Sequence, residues 1–97
     1  MNQYYVYIMI DHPLGLPYIG FTNDLVRRVY EHKNHLAAGS YTDKHNQDRL
    51  VYYEVFDDAE EAIKREKRLK SWKHGWKMRL IIDGNPNWKD LWEEIVK

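Results

Sequence analysis

Residues 4–21 carry two strand-like runs, YYVYIMI (4–10) and PYIGF (17–21), joined only by DHPLGL. Both runs are β-branched and aromatic, as strands are. The linker has the proline and glycine of a turn. A link this short leaves no room for a parallel crossover, so the two strands pair antiparallel. The remainder of the chain has to cover that pair.

Residues 22–97 are mostly helical in pattern. A helix is expected over about 24–38, capped by Asn23 or Thr22, with Asp24 favourable in its first turn and Gly39 ending it. SYTDKHNQD (40–48) reads as polar loop and RLVYYEVF (49–56) as a third strand. Residues 57–73 read as a second helix, with acids at its start and bases at its end, as the helix dipole favours. A third helix covers about 75–82 and stops at Gly84. Asn87 can cap a last one, on which Trp88, Leu91, Trp92 and Ile95 form an apolar stripe. The order β-β-α-β-α-α-α implies an α+β fold, a small three-stranded, mostly antiparallel sheet flanked by helices. With 97 residues the chain fits one domain, a core over about 3–83 and a helical extension over about 84–97.

Composition removes several functions. There is no cysteine, which excludes disulfides and thiolate metal sites and suits a reducing cytoplasm. No stretch approaches the roughly 20 apolar residues of a membrane span. The start, MNQYYVYIMIDH, lacks the basic and cleavage regions of a signal peptide. Formal net charge is zero, yet residues 64–79, KREKRLKSWKHGWKMR, carry eight lysines and arginines against one acid, Glu66. Such a run is either a solvated helix face or a surface that meets phosphate. His32, His35 and His45 suggest zinc, but nothing fixes a fourth ligand. Most of the four tryptophans are expected in core packing.

Helical and strand periodicity then bring certain side chains together. On the first helix Leu25, Val29 and Leu36 form the buried stripe, and Arg28 and His32 lie along its border. Arg27 points to water. Arg28 and His32 can be border residues with apolar stems laid on the core, or members of a site. On the second helix Glu66 falls near the centre of the side formed by Ala59, Ala62, Ile63 and Leu69. A carboxylate there needs a partner. That partner is either Lys70, one turn on, or a metal or substrate group. On the strands Tyr7 and Tyr18 can share one sheet face, and Gly20 leaves room for a phosphate or a backbone to approach. Two phenols, a guided arginine, a histidine and an inward carboxylate are the inventory that phosphodiester hydrolysis needs.

With those residues in place the chain resembles the GIY-YIG nuclease superfamily, in its small single-domain bacterial endonuclease branch. Tyr5-Val6-Tyr7 stands where the family has Gly-Ile-Tyr, so its glycine is replaced by Tyr5 and its tyrosine kept as Tyr7. Tyr18-Ile19-Gly20 matches Tyr-Ile-Gly unchanged, Arg28 follows ten residues after Tyr18, and His32 and the Glu66 of REKRLK fall on the remaining positions. GNPNWKDLWEEI also resembles that branch. The resemblance implies a Mg²⁺- or Mn²⁺-dependent DNA endonuclease acting in repair or processing. In it Glu66 holds the metal, Arg28 binds the scissile phosphate, Tyr7 is the general base in a network with Tyr18, and His32 orients or donates a proton. Lys64, Lys67, Lys70 and Lys73 would hold the DNA backbone. With no room for a site-choosing domain, cleavage would be structure-selective or weakly specific, or guided by a partner protein. The other reading is a nucleic-acid or repair-protein binding module that keeps the site without cutting.

Overall fold

The computed structural model describes residues 2–36 and 47–97. Its elements are β1 (Tyr4–Ile10), β2 (Tyr18–Thr22), α1 (Leu25–Lys33), β3 (Arg49–Phe56), α2 (Ala59–Ser71), α3 (His74–Gly84) and α4 (Trp92–Ile95). The sheet is fully antiparallel in the order β2-β1-β3. β1 is thus central, and Val6 to Ile10 are completely buried.

Alternation along β1 divides the interior in two. Val6, Ile8 and Ile10 pack with Ile19, Val51, Ala62, Leu69, Met78 and Ile81, beneath α2 and α3. Tyr7 and Met9 pack on the opposite face with Leu25, Val29 and Leu50, beneath α1. A strand covered on both faces must be apolar at every position, which accounts for the unbroken YYVYIMI run.

Helix ends follow local chemistry, with three departures from the sequence-based expectation. Asp24, not Asn23 or Thr22, caps α1: its side chain accepts from the Arg27 N–H at 3.2 Å. Thr22 Oγ1 supports the cap by accepting from the Asp24 N–H at 3.0 Å. Second, α1 ends at Lys33, so Leu36 lies beyond the helix, is exposed and does not extend the stripe. The expected stop at Gly39 and His45 lie outside the described residues.

Third, Asn87 caps nothing and the last helix is one turn long. Between Tyr52 and Leu50 the register against β1 skips Val51, a bulge in β3. Buried Asn85 donates from Nδ2 to the Val51 carbonyl (3.2 Å) and to that of Lys89 (2.8 Å), and accepts from the Lys89 N–H (3.0 Å). Residues 85–89 wrap around this amide, with Trp88 at a φ of 54°. Asp90 then takes over: one carboxylate oxygen accepts from the N–H groups of Leu50 and Trp92, and the other pairs with Lys33. The expected stripe is split. Trp88 packs on the α2/α3 core, and Leu91, Trp92 and Ile95 on the α1 core.

Candidate active site

Tyr7 stands opposite Gly20 in the β1–β2 register. A β-carbon at position 20 would come within 2.4 Å of the Tyr7 ring and hydroxyl. The room at Gly20 is therefore taken by Tyr7 itself, not by a phosphate or a neighbouring backbone. The ring crosses β2 at that point and reaches the side on which Tyr18 lies, with centroids 6.2 Å apart.

α1 supplies the third ring. His32 follows Leu25 by seven residues and Val29 by three, so it faces the sheet with them. Its Nε2 is 3.0 Å from the Tyr7 hydroxyl. The ring lies 5.7 Å from that of Tyr7 and 5.4 Å from that of Tyr18. Arg28, one turn earlier, borders this cluster with a side chain 45% exposed, while Arg27 is 75% exposed. Both arginines pair with Glu31, at 3.3 and 3.4 Å.

The surroundings set the protonation states. Burial pushes the Tyr7 phenol well above its ordinary value, Tyr18 adds to this, and the Arg28 charge opposes it. Burial holds the His32 imidazole below its ordinary value, helped by Arg28 and opposed by Glu31. At neutral pH the phenol thus keeps its proton, the imidazole is neutral, and the two are joined by a hydrogen bond. Tyr7 has no exposed surface. Arg28 is the member of this cluster that combines a fixed charge with contact to solvent.

Glu66 comes from α2, over the other face of the sheet. Its side chain is 17% exposed and pairs with Lys70 Nζ at 2.9 Å. Lys70 also lines a groove of about 240 Å³ with Pro17, Tyr18, Ile19 and Lys77, which places Lys70 along the β2 edge beside Tyr18. Tyr18, Arg28 and His32 gather around Tyr7, while Glu66 makes its contact with Lys70 on α2. Lys64, Lys67, Lys70 and Lys73 are all exposed, with Lys64 3.6 Å from Glu61.

Among the described residues no cluster of three or more histidine, aspartate or glutamate side chains gathers to hold a metal. One carboxylate that already carries a cation is nonetheless a fitting donor for Mg²⁺, which keeps much of its water and takes other ligands from substrate phosphate.

Some features escape sequence reasoning. Glu54 on β3 holds Arg65 of α2 through two nitrogens, at 2.9 and 2.9 Å, and accepts from the Tyr52 hydroxyl. Trp72, Trp88 and Trp92 pack against the cores, as expected of most of the tryptophans, while Trp76 is 62% exposed.

Residues 3–79 match the GIY-YIG catalytic domain family. The chain belongs to the GIY-YIG family. Small GIY-YIG relatives align over most of it: a UPF0213 protein of Staphylococcus saprophyticus is 36% identical across 87% of this chain and all of its own length. One of Haloquadratum walsbyi is 39% identical across 87% of this chain and 93% of its own. The solution NMR structure of the UPF0213 protein BH0048 from Bacillus halodurans superposes with a TM-score of 0.57 at 28% identity, covering 91% of this chain and 92% of that one. This is a small GIY-YIG domain of a nuclease superfamily, with the tyrosine positions of both name motifs adjoining one histidine. Among the described residues no helix is long and apolar enough to cross a membrane.

Proposed function

We propose that this GIY-YIG domain is a divalent-metal-dependent endonuclease that hydrolyses phosphodiester bonds in DNA. The observation that carries the reading is the part-buried hydrogen bond between Tyr7 and His32, with Arg28 bordering it at the surface. Arg28 grips the scissile phosphate and offsets charge as it develops there. The attacking water passes a proton to the Tyr7 oxygen while the Tyr7 proton moves to His32 Nε2. The water oxygen bonds to phosphorus, the P–O bond to the leaving oxygen breaks, the leaving oxygen takes a proton from solvent, and the proton gained by the imidazole returns to solvent afterwards. Neutral His32 is the form that can accept it. Since Tyr7 is fully buried, phosphate binding by Arg28 has to open the way to its hydroxyl. Tyr18, against both rings, completes the network. Glu66 would hold the metal, whose contribution when bound is charge neutralisation on the phosphate and leaving oxygens.

Lys64, Lys67, Lys70 and Lys73 contact the DNA backbone in this reading. Such contacts position DNA without reading its sequence. Cleavage is then structure-selective or weakly specific, in repair or processing, and any finer choice of site falls to a partner protein.

The Glu66–Lys70 pair favours a second reading, a module that binds nucleic acid and does not cut, because there the carboxylate needs no metal. A nicking assay on supercoiled plasmid, single strands and branched duplexes separates the two. With Mg²⁺ or Mn²⁺ the wild type should nick, and Arg28→Ala and Glu66→Ala should abolish nicking while keeping the fold. Nicking that survives Glu66→Ala removes the carboxylate from the reaction. Binding without nicking by well-folded wild type selects the module.

A further inference from the structure

Trp76 is the least buried tryptophan and stands in the most basic part of the chain. It meets Trp72 at 5.9 Å with ring planes 81° apart. Trp72 is held from behind by the Arg65 guanidinium, 5.4 Å from its ring, and Arg65 is locked in turn to Glu54. The exposed indole is thus the outer end of a braced chain, so little side-chain freedom is lost when something stacks on it. Trp72, Trp76, Arg79, Leu80 and Asp83 line an open groove of about 260 Å³. Apolar walls, a planar donor and an acidic acceptor suit the face and edge of a nucleobase. Lys73 precedes Trp76 at the start of α3, and Lys77, next in sequence, lines the neighbouring groove with Tyr18 and Lys70. Cations thus stand at the Tyr18 edge, Lys70 and Lys77, and beside the indole in the sequence and groove, Lys73, Lys77 and Arg79.

We infer that the Trp72/Trp76 groove is a stacking subsite for an unpaired base of the nucleic-acid substrate, with its backbone held by Lys73 and Lys77. The charge around the groove calls for a polyanion, which an apolar protein segment does not provide. A base inside a duplex has its faces covered by its neighbours, so the occupant is an unpaired nucleotide, as in a flap, a gap or a single strand. This inference rests on the nucleic-acid reading of the active site and narrows its substrate to DNA with an unpaired segment beside the cut.

The test is binding of a fluorescent oligothymidylate and of a blunt duplex of equal length, at low salt with EDTA, so that cleavage plays no part. The wild type should prefer the single strand, and its tryptophan emission should be quenched on binding. Trp76→Ala should weaken single-strand binding at least about fivefold, leave duplex binding within about twofold, and melt within a few degrees of wild type. Trp76→Phe should restore most of the loss. Single-strand binding unchanged in Trp76→Ala overturns the subsite and leaves the nuclease reading, judged by plasmid nicking, intact. Equal loss on both DNAs overturns the unpaired-base assignment. Sedimentation showing a dimer that Trp76→Ala dissolves, with no single-strand preference, would assign the groove to a second copy of this chain and overturn the inference.

Discussion

At the scale of single residues, the site depends on a glycine. The Tyr7 ring occupies the space that any β-carbon at position 20 would need. Tyr7 is fully buried in a packed core, so Gly20→Ala overpacks the site. The expected cost is about 1–3 kcal/mol, roughly 5–15 °C in melting temperature for a domain of this size. A scan of Gly20→Ala unchanged in melting would show that the ring has another place to go. Titration offers a second check. His32 is held below its ordinary value, so the unfolded chain takes up a proton first as pH falls through about 6.5, and stability falls with it. Tyr7 is held above its ordinary value, so its contribution is intact below about pH 10 and lost above it. Melting temperatures followed across pH should therefore plateau between these limits, and His32→Gln should shrink the decline on the acid side just below 6.5. That Tyr7 and Tyr18 share a face, and that Arg28 and His32 border the core, was legible from periods of two and 3.6 residues. The purpose of Gly20 was not, because it depends on the Tyr7–Gly20 register, which local pattern leaves open.

At the scale of elements, two polar clusters fasten helices to the sheet. The first is Glu54–Arg65, which ties α2 to β3. Burial works to raise the Glu54 carboxyl, but the hydrogen bonds of Arg65 and Tyr52 outweigh it and hold it below its ordinary value. The same contact, after burial, pushes the Tyr52 phenol up to about 12. The Glu54 contribution is present above the ordinary carboxyl range and is lost as pH falls below it. Glu54→Gln should remove that acid-side loss, in a window well below that of His32. The second cluster is Asp90, which joins α1, β3 and α4. Asp90→Ala leaves two backbone N–H groups without their acceptor and should cost about 1.5–3 kcal/mol in urea unfolding. An unchanged midpoint would mean that water replaces the carboxylate fully. The strands, α2 and α3 were legible from composition to within a few residues, while α1 was legible in place but takes Asp24 as its cap and ends at Lys33. The last helix was not. Asn85, Asn87 and Asp90 are each good caps, and the choice among them is made by the Val51 bulge and the approach of Lys33, both distant in sequence.

For the whole molecule, β1 separates two jobs. Its Tyr7 face builds the site with α1, and its Val6 face seats α2 and α3, which carry Glu66 and the basic surface. Net charge is zero, but the cations are concentrated on α2 and α3. Binding to DNA should weaken with salt, and Lys67→Ala and Lys73→Ala should each reduce the log–log salt slope by about one. A slope that neither substitution moves would place the DNA on another face. The most direct measurement is the rate of metal-dependent plasmid nicking by Tyr7→Phe against wild type. This substitution keeps the ring that fills the space at Gly20 and removes only the hydroxyl bonded to His32. With the tyrosine as proton carrier, the rate should fall at least about 100-fold while DNA binding persists. Nicking at the wild-type rate by Tyr7→Phe would contradict the Tyr7–His32 pair as the centre of the reaction.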